Sequence, residues 1–208
     1  MESAKQALER LKAGNKEFAS RMTGGGSFVS QKQEKELPQI QDPFAIILSC
    51  SDARAPAEIV FNQGLGDLFV IRVAGNIVAP SQVGSVEYAA ALFNARLVVV
   101  MGHTHCGAIL ATLEELQRPT ENQSPNLRSI VDRVRPSVEA LLETDLRNDK
   151  EALVRAAVHA NVSASVNHLR HGSALLETII EKHGLAVVGA VYSLETGVVE
   201  FFDVAGAE

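Results

Sequence analysis

Two cysteines occur in this chain of 208 residues, and each closes an apolar run. Cys50 ends Phe44-Ala-Ile-Ile-Leu-Ser-Cys50, and Cys106 follows Leu97-Val-Val-Val-Met-Gly-His103-Thr-His-Cys106. Asp52 and Arg54 stand just beyond the first cysteine, and His103 just before the second. The set is two soft sulfur donors, one imidazole and one charged pair, all where buried strands give way to loops. Zinc favours such sulfur–nitrogen sets, and three protein ligands leave its fourth position open for water. His-x-x-Cys on a strand-to-helix turn can aim both side chains at one point, with Gly102 and Gly107 permitting tight backbone on either side. A Cys106 near a helix N-terminus would have its thiolate favoured, which is the form a metal needs. His105 competes as a ligand, but its place between Thr104 and Cys106 suits a fourth or outer role. His103 is the expected ligand.

Cys50-Ser-Asp52-Ala-Arg54 adds discrimination. If the chain stays extended there, alternation puts Cys50, Asp52 and Arg54 on one side. A carboxylate beside a metal-bound water can accept its hydrogen bond, and a guanidinium can grip that carboxylate through two bonds and keep it ionised. Taken alone, Asp-x-Arg reads as a buried ion pair capping a strand end. Beside three metal donors it reads as catalytic. Two thiolates cancel the charge of Zn²⁺, so bound water gives up its proton less readily unless neighbours help. Asp52 pulled away by Arg54 serves as an acceptor; released, it could fall onto the metal and block the open position.

These residues need a frame. Residues 44–49, 68–72 and 97–101 are short, apolar and β-branched, as strands covered on both faces should be. Residues 56–62, 81–93 and 107–117 read as the intervening helices. A polar loop over 118–126 leads to two long helical stretches, 127–146 and 150–171, and a helix at 173–183. Strands at 186–193 and 198–204 flank the turn Glu195-Thr-Gly197, so the last strand is expected to be antiparallel. The predicted fold is α/β: a mostly parallel sheet, about four parallel strands plus an antiparallel edge strand, flanked by helices. Ligands bind such sheets beyond the strand carboxyl ends where strand order reverses. Neighbouring first and third strands would bring Cys50 to His103 and Cys106. Residues 3–20 form an amphipathic helix with Ala4, Ala7, Leu8 and Leu11 on one face. Thr23-Gly-Gly-Gly-Ser27 breaks it, so residues 1–30 are read as a helical arm and hinge able to swing onto another surface, such as a partner subunit.

The combined pattern Cys50-x-Asp52-x-Arg54 with His103-x-x-Cys106-Gly107 resembles the β-class carbonic anhydrases. The segment Gly66-Asp-Leu-Phe-Val-Ile-Arg-Val-Ala-Gly-Asn76 resembles them too, and the likeness runs in detail from about residue 41 to 107. It implies the reversible hydration of CO₂ to bicarbonate and a proton, by a zinc-bound hydroxide oriented by an Asp52–Arg54 dyad. By the same resemblance Cys50, His103 and Cys106 hold one zinc ion per chain. Gln41, Phe69, Tyr88 and Gly107 match substrate-binding positions, some supplied across a homodimer or dimer-of-dimers interface. Without the resemblance, Phe69 and Tyr88 read as core packing and Gln41 as a loop residue. Two departures stand out. Ala53 replaces the common Ser between the dyad residues. Ile47 occupies the place of a Trp around which some members build a regulatory bicarbonate pocket, although Arg72 and Tyr192 resemble its other two residues; that form of control is not expected.

Bulk properties narrow the classes. The length fits one domain over residues 1–208. A net charge of -6 disfavours a nucleic-acid partner. Charges in Met1-Glu-Ser-Ala-Lys-Gln-Ala-Leu-Glu-Arg10 do not fit a signal peptide, and no apolar run approaches the roughly 20 residues that span a bilayer. No membrane partner is expected, and a cytoplasmic location, where free thiols persist, is the default. His159, His168, His171 and His183 read as ordinary helix residues. Two rivals remain at this stage: hydrolysis of CS₂ or COS by a similar site, and a non-catalytic zinc or redox-sensing protein whose cysteines oxidise and expel metal.

Overall fold

The computed structural model describes residues 2–24, 40–120 and 124–207. Five strands form one sheet in the order β2-β1-β3-β4-β5: β1 (Ala45–Ser49), β2 (Leu68–Arg72), β3 (Leu97–His103), β4 (Ala186–Tyr192) and β5 (Val199–Phe202). The first four run parallel, and β5 returns antiparallel to β4. Every residue of β1, β3 and β4 is buried, which is why these segments read as continuous apolar runs. The edge strands β2 and β5 are only partly covered.

Alternating side chains of the same strands feed two cores. Ile46, Leu48, Val98, Val100 and Val187 pack beneath α3 (Pro80–Leu92), α4 (Gly107–Gln117), α5 (Pro125–Val138), α6 (Lys150–His171) and α7 (Ala174–His183). Ala45, Ile47, Val99, Met101 and Val188 face α1 (Ala4–Gly24) and the short α2 (Ala57–Val60).

The expected N-terminal helix is present as α1 and is docked on this chain's own sheet through its apolar face, Ala4, Ala7, Leu8, Leu11 and Phe18. Burying Leu8 and Leu11 contributes about 1.5–3 kcal/mol each, enough to keep the helix docked. Gly14 lets α1 approach closely, since a Cβ there would lie 1.8 Å from the Phe61 carbonyl oxygen. Thr23 and Gly24 continue the helix, and the rest of the expected hinge lies outside the described residues.

A correction concerns 127–146. The α-helix ends at Val138, and 3-10 turns follow at Glu139–Glu143 and Asp145–Asn148. Pro136 lies in the last turn of α5, where it removes a backbone donor and crowds the preceding turn. Thr144 then caps the second 3-10 turn, accepting from the Leu146 N–H. The predicted 150–171 helix is present as α6, started by Asp149, whose carboxylate accepts from the N–H groups of Glu151 and Ala152.

Candidate metal centre

Strand order reverses between β1 and β3, which pair in parallel with Ser49 opposite Met101. Cys50 leaves the end of β1, His103 is the last residue of β3, and Cys106 is the N-cap of α4. Their donor atoms all lie within 4.8 Å of one another, and all three residues are buried. The two sulfurs are 4.0 Å apart. A tetrahedral zinc with Zn–S bonds of about 2.3 Å would set them about 3.8 Å apart, so the pair already has the span a single ion requires.

His103 is prepared as a ligand. Its Nδ1–H donates to the Thr104 carbonyl at 2.9 Å, which leaves the lone pair on Nε2. Nε2 is buried with no hydrogen-bond partner. A buried acceptor without a partner is costly among apolar groups and natural at a cation. His105, the competing candidate, is exposed instead and meets Glu195 Oε1 at 2.5 Å.

The two sulfurs lie within hydrogen-bond reach of each other. A hydrogen bond from Cys106 lowers Cys50 below the ordinary thiol range, against burial, with help from His103 and the Gly75 N–H. The same bond, burial and the Cys50 charge push Cys106 up. Burial pulls the His103 imidazole down, and the Cys50 sulfur, the Thr104 carbonyl and the Asp52 carboxylate more than reverse it.

The Cys50 cradle is built from glycine backbone. The Gly75 N–H donates to Cys50 Sγ at 3.4 Å from a left-handed conformation, φ 70°. Asn161 Nδ2 donates to the Gly75 carbonyl at 2.8 Å, and Ser165 Oγ to the Asn76 carbonyl at 3.1 Å, so α6 clamps this turn. Gly102 permits α6 to sit so near β3, because a Cβ there would meet Val162 Cγ2 at 2.7 Å.

Asp52 and Arg54 form the expected pair by a different route. The backbone is not extended; the Ala55 N–H bonds the Asp52 carbonyl and closes a turn. Asp52 Oδ1 also accepts the Arg54 N–H at 2.9 Å, so the carboxylate caps its own turn and sits near Arg54 without strand alternation. Arg54 Nε donates to Oδ1 at 3.0 Å and Nη2 to Oδ2 at 2.8 Å. Those bonds hold the Asp52 carboxyl well below the usual carboxylate range. Asp52 Oδ2 lies 3.8 Å from His103 Nε2, beside the cluster. Arg72 braces the loop through the carbonyls of Cys50 and Asp52, at 3.1 and 2.5 Å.

The remaining candidates are placed as follows. Gly107 opens α4. Phe69 and Tyr88 stack 6.2 Å apart, and both rings meet Phe93. Gln41 is exposed. Sequence reasoning missed Asn161 and Ser165, although both interrupt the apolar i, i+4 stripe Ala157, Asn161, Ser165, Leu169 on α6. It also read Glu195 as a turn residue only.

A buried Cys–His–Cys cluster at the switch point of a mostly parallel sheet, with a carboxylate alongside, defines an α/β protein with the donor set for a metal ion. Comparison with known proteins sharpens this. The carbonic anhydrase family pattern matches residues 45–199. The carbonic anhydrase of Mycolicibacterium smegmatis is 38% identical over 202 residues, covering 93% of this chain and 91% of that protein. Carbonic anhydrase 2 of Mycobacterium tuberculosis is 37% identical over 193 residues, covering 92% and 89%. Among solved structures, a β-carbonic anhydrase of Aspergillus fumigatus superposes with a TM-score of 0.73 at 26% identity, covering 93% of this chain and 89% of that one. The chain belongs to the β-carbonic anhydrase family.

Proposed function

We propose that this chain catalyses the zinc-dependent, reversible hydration of CO₂ to bicarbonate and a proton. The observation that carries the reading is the buried Cys50–His103–Cys106 cluster with its unpartnered Nε2, next to a carboxylate that Arg54 keeps ionised. Zinc, when bound, supplies a Lewis acid that makes water nucleophilic near neutral pH. Cys50, Cys106 and His103 Nε2 would hold it. Asp52 accepts a hydrogen bond from the attacking water and so aims a lone pair at the substrate carbon. Arg54 orients Asp52 and keeps it an acceptor. Phe69 and Tyr88 give the apolar contact that a linear, uncharged substrate needs, while the Gly107 N–H and Gln41 offer donors to an anionic product. The proton leaves to buffer.

The same reading takes residues 1–208 as one domain, since both cores share one sheet. It places the chain in the cytoplasm, where two buried free thiols persist. Among the described residues no helix is long and apolar enough to cross a membrane. Self-association as a homodimer or a dimer of dimers is supported by exposed apolar side chains on α3: Tyr88 is 49% and Leu92 62% exposed, next to Phe69 and Phe93.

Stopped-flow CO₂ hydration on protein of measured zinc content tests the reading. Wild type should carry one zinc per chain and hydrate CO₂. Asp52→Asn should keep the zinc and lose about 10²–10⁴-fold in rate, the range for a positioned proton-handling group. A wild type without stoichiometric zinc, or zinc-loaded protein without hydration activity, overturns it.

A further inference from the structure

We propose that Glu195, on the turn between β4 and β5, is a positioning residue for the metal-binding loop: it fixes Thr104, whose carbonyl orients His103. The inference rests on the reading that Cys50, His103 and Cys106 hold zinc.

The carboxylate is fully engaged. Glu195 Oε2 accepts from Thr104 Oγ1 at 2.9 Å and from Ser193 Oγ at 2.9 Å, while Oε1 meets His105 Nε2 at 2.5 Å. Thr104 is then tied to the hairpin at two further points. Its N–H donates to the Tyr192 carbonyl at 2.9 Å, and its hydroxyl accepts the Leu194 N–H at 3.0 Å. The N–H fixes the peptide that joins Thr104 to His103, and the hydroxyl fixes the side-chain rotamer, so Thr104 is held on both sides of its Cα. Its carbonyl points at His103 Nδ1. Glu195 also bonds the ring of the next residue, His105, which sits in the left-handed region at φ 54°, a conformation disfavoured for side chains with a Cβ. Both residues between the two ligands His103 and Cys106 are therefore held by one carboxylate.

The hairpin itself is anchored from the far side. Asn15 on α1 accepts the Val199 N–H at 2.8 Å and donates to the Gly197 carbonyl at 2.9 Å. A continuous set of hydrogen bonds runs from the N-terminal helix through the hairpin to His103.

Stability alone does not account for the arrangement. The His105 and Glu195 side chains are 61% and 53% exposed, where an ion pair contributes little. Geometry is the stronger reason. The group that hydrogen-bonds the non-ligating nitrogen of a metal-bound histidine sets its ring orientation and basicity, and loss of such partners typically costs 10–100-fold in metal affinity or activity.

The test compares wild type with Glu195→Ala, Glu195→Gln and Thr104→Val. Two readouts are taken: the rate of zinc release to a chelator at neutral pH, and the ligand-field and sulfur charge-transfer bands of the Co²⁺-loaded proteins. Far-UV circular dichroism confirms that each variant folds. Glu195→Ala should release zinc about 10–100-fold faster and shift the cobalt bands. Glu195→Gln, which keeps one acceptor oxygen for Thr104, should lie between it and wild type. Thr104→Val should match Glu195→Ala, and it carries the test if that variant does not fold. Folded variants with wild-type release rates and unshifted bands overturn this proposal while leaving the zinc reading intact. A wild type that takes up neither zinc nor cobalt overturns both.

Discussion

Arg54 holds both carboxylate oxygens of Asp52 while one of them, Oδ2, stays 3.8 Å from His103 Nε2. The carboxylate is thus beside the Cys50–His103–Cys106 cluster and held back from it by Arg54. Arg54 is 59% exposed, so the pair adds little to stability and its value lies in direction.

Arg54→Lys should break that restraint. Lysine offers one point charge on a flexible stem and cannot grip two oxygens in a plane. CO₂ hydration should fall about 10–100-fold, as for loss of other groups that orient a metal site. The bands of the Co²⁺ form should move toward those of a site with a carboxylate ligand. Wild-type spectra and rates in Arg54→Lys would contradict the restraint.

Metal removal gives a second expectation. In the reduced, chelated protein one thiolate should persist at neutral pH, because the Cys106 thiol donates to the Cys50 sulfur and burial resists a second charge. Ultraviolet thiolate absorbance near 240 nm should report one thiolate per chain. In Cys106→Ala the largest influence lowering Cys50 is gone while burial still raises it, so thiolate absorbance at neutral pH should drop.

How much of this could be read from the residues alone depends on the range over which each interaction acts. The strands β1 to β4 were legible because strands buried on both faces leave continuous apolar runs, and the meeting of Cys50, His103 and Cys106 because donor types at strand ends are few. The turn at Asp52–Arg54 was not legible, although the pair was. Strand alternation and an Asp side chain capping its own turn both bring Asp52 beside Arg54, and spacing cannot separate them. The amphipathic period of α1 showed which face is buried but not against what. Pro136 signalled a break that helical periodicity over 127–146 concealed. Asn161 and Glu195 escaped because their partners are distant: Asn161 meets the carbonyl of Gly75, and Glu195 meets Thr104. A polar residue serving a remote backbone group looks, in sequence, like one serving solvent.

Asn161 therefore carries a prediction of its own. Asn161→Leu removes the donor to the buried Gly75 carbonyl, and leaving such a group unsatisfied costs about 1–3 kcal/mol. Urea unfolding should show that loss. Zinc affinity should fall as well, because the same glycine donates its N–H to Cys50 Sγ. Ser165→Ala acts one turn further along α6, on Asn76, and should lower stability with a smaller effect on zinc.

The clamp at Glu195 predicts a pH window in the metal-free protein. Bonds from Ser193, its own backbone and Thr104 hold this carboxyl down to about 2, from an ordinary value near 4.5. A depressed folded value means that stabilisation is complete above the unfolded pKa and fades as pH falls toward the folded one. Glu195→Gln cannot ionise, so it lacks this contribution at every pH. The difference in melting temperature between wild type and Glu195→Gln should be constant from neutral pH down to about 5 and then shrink steadily as acid is added. Exposure of the carboxylate keeps the effect small, so the shape of the curve is the diagnostic. A difference unchanged through pH 3 would place the origin of Glu195's contribution in packing, not in its charge.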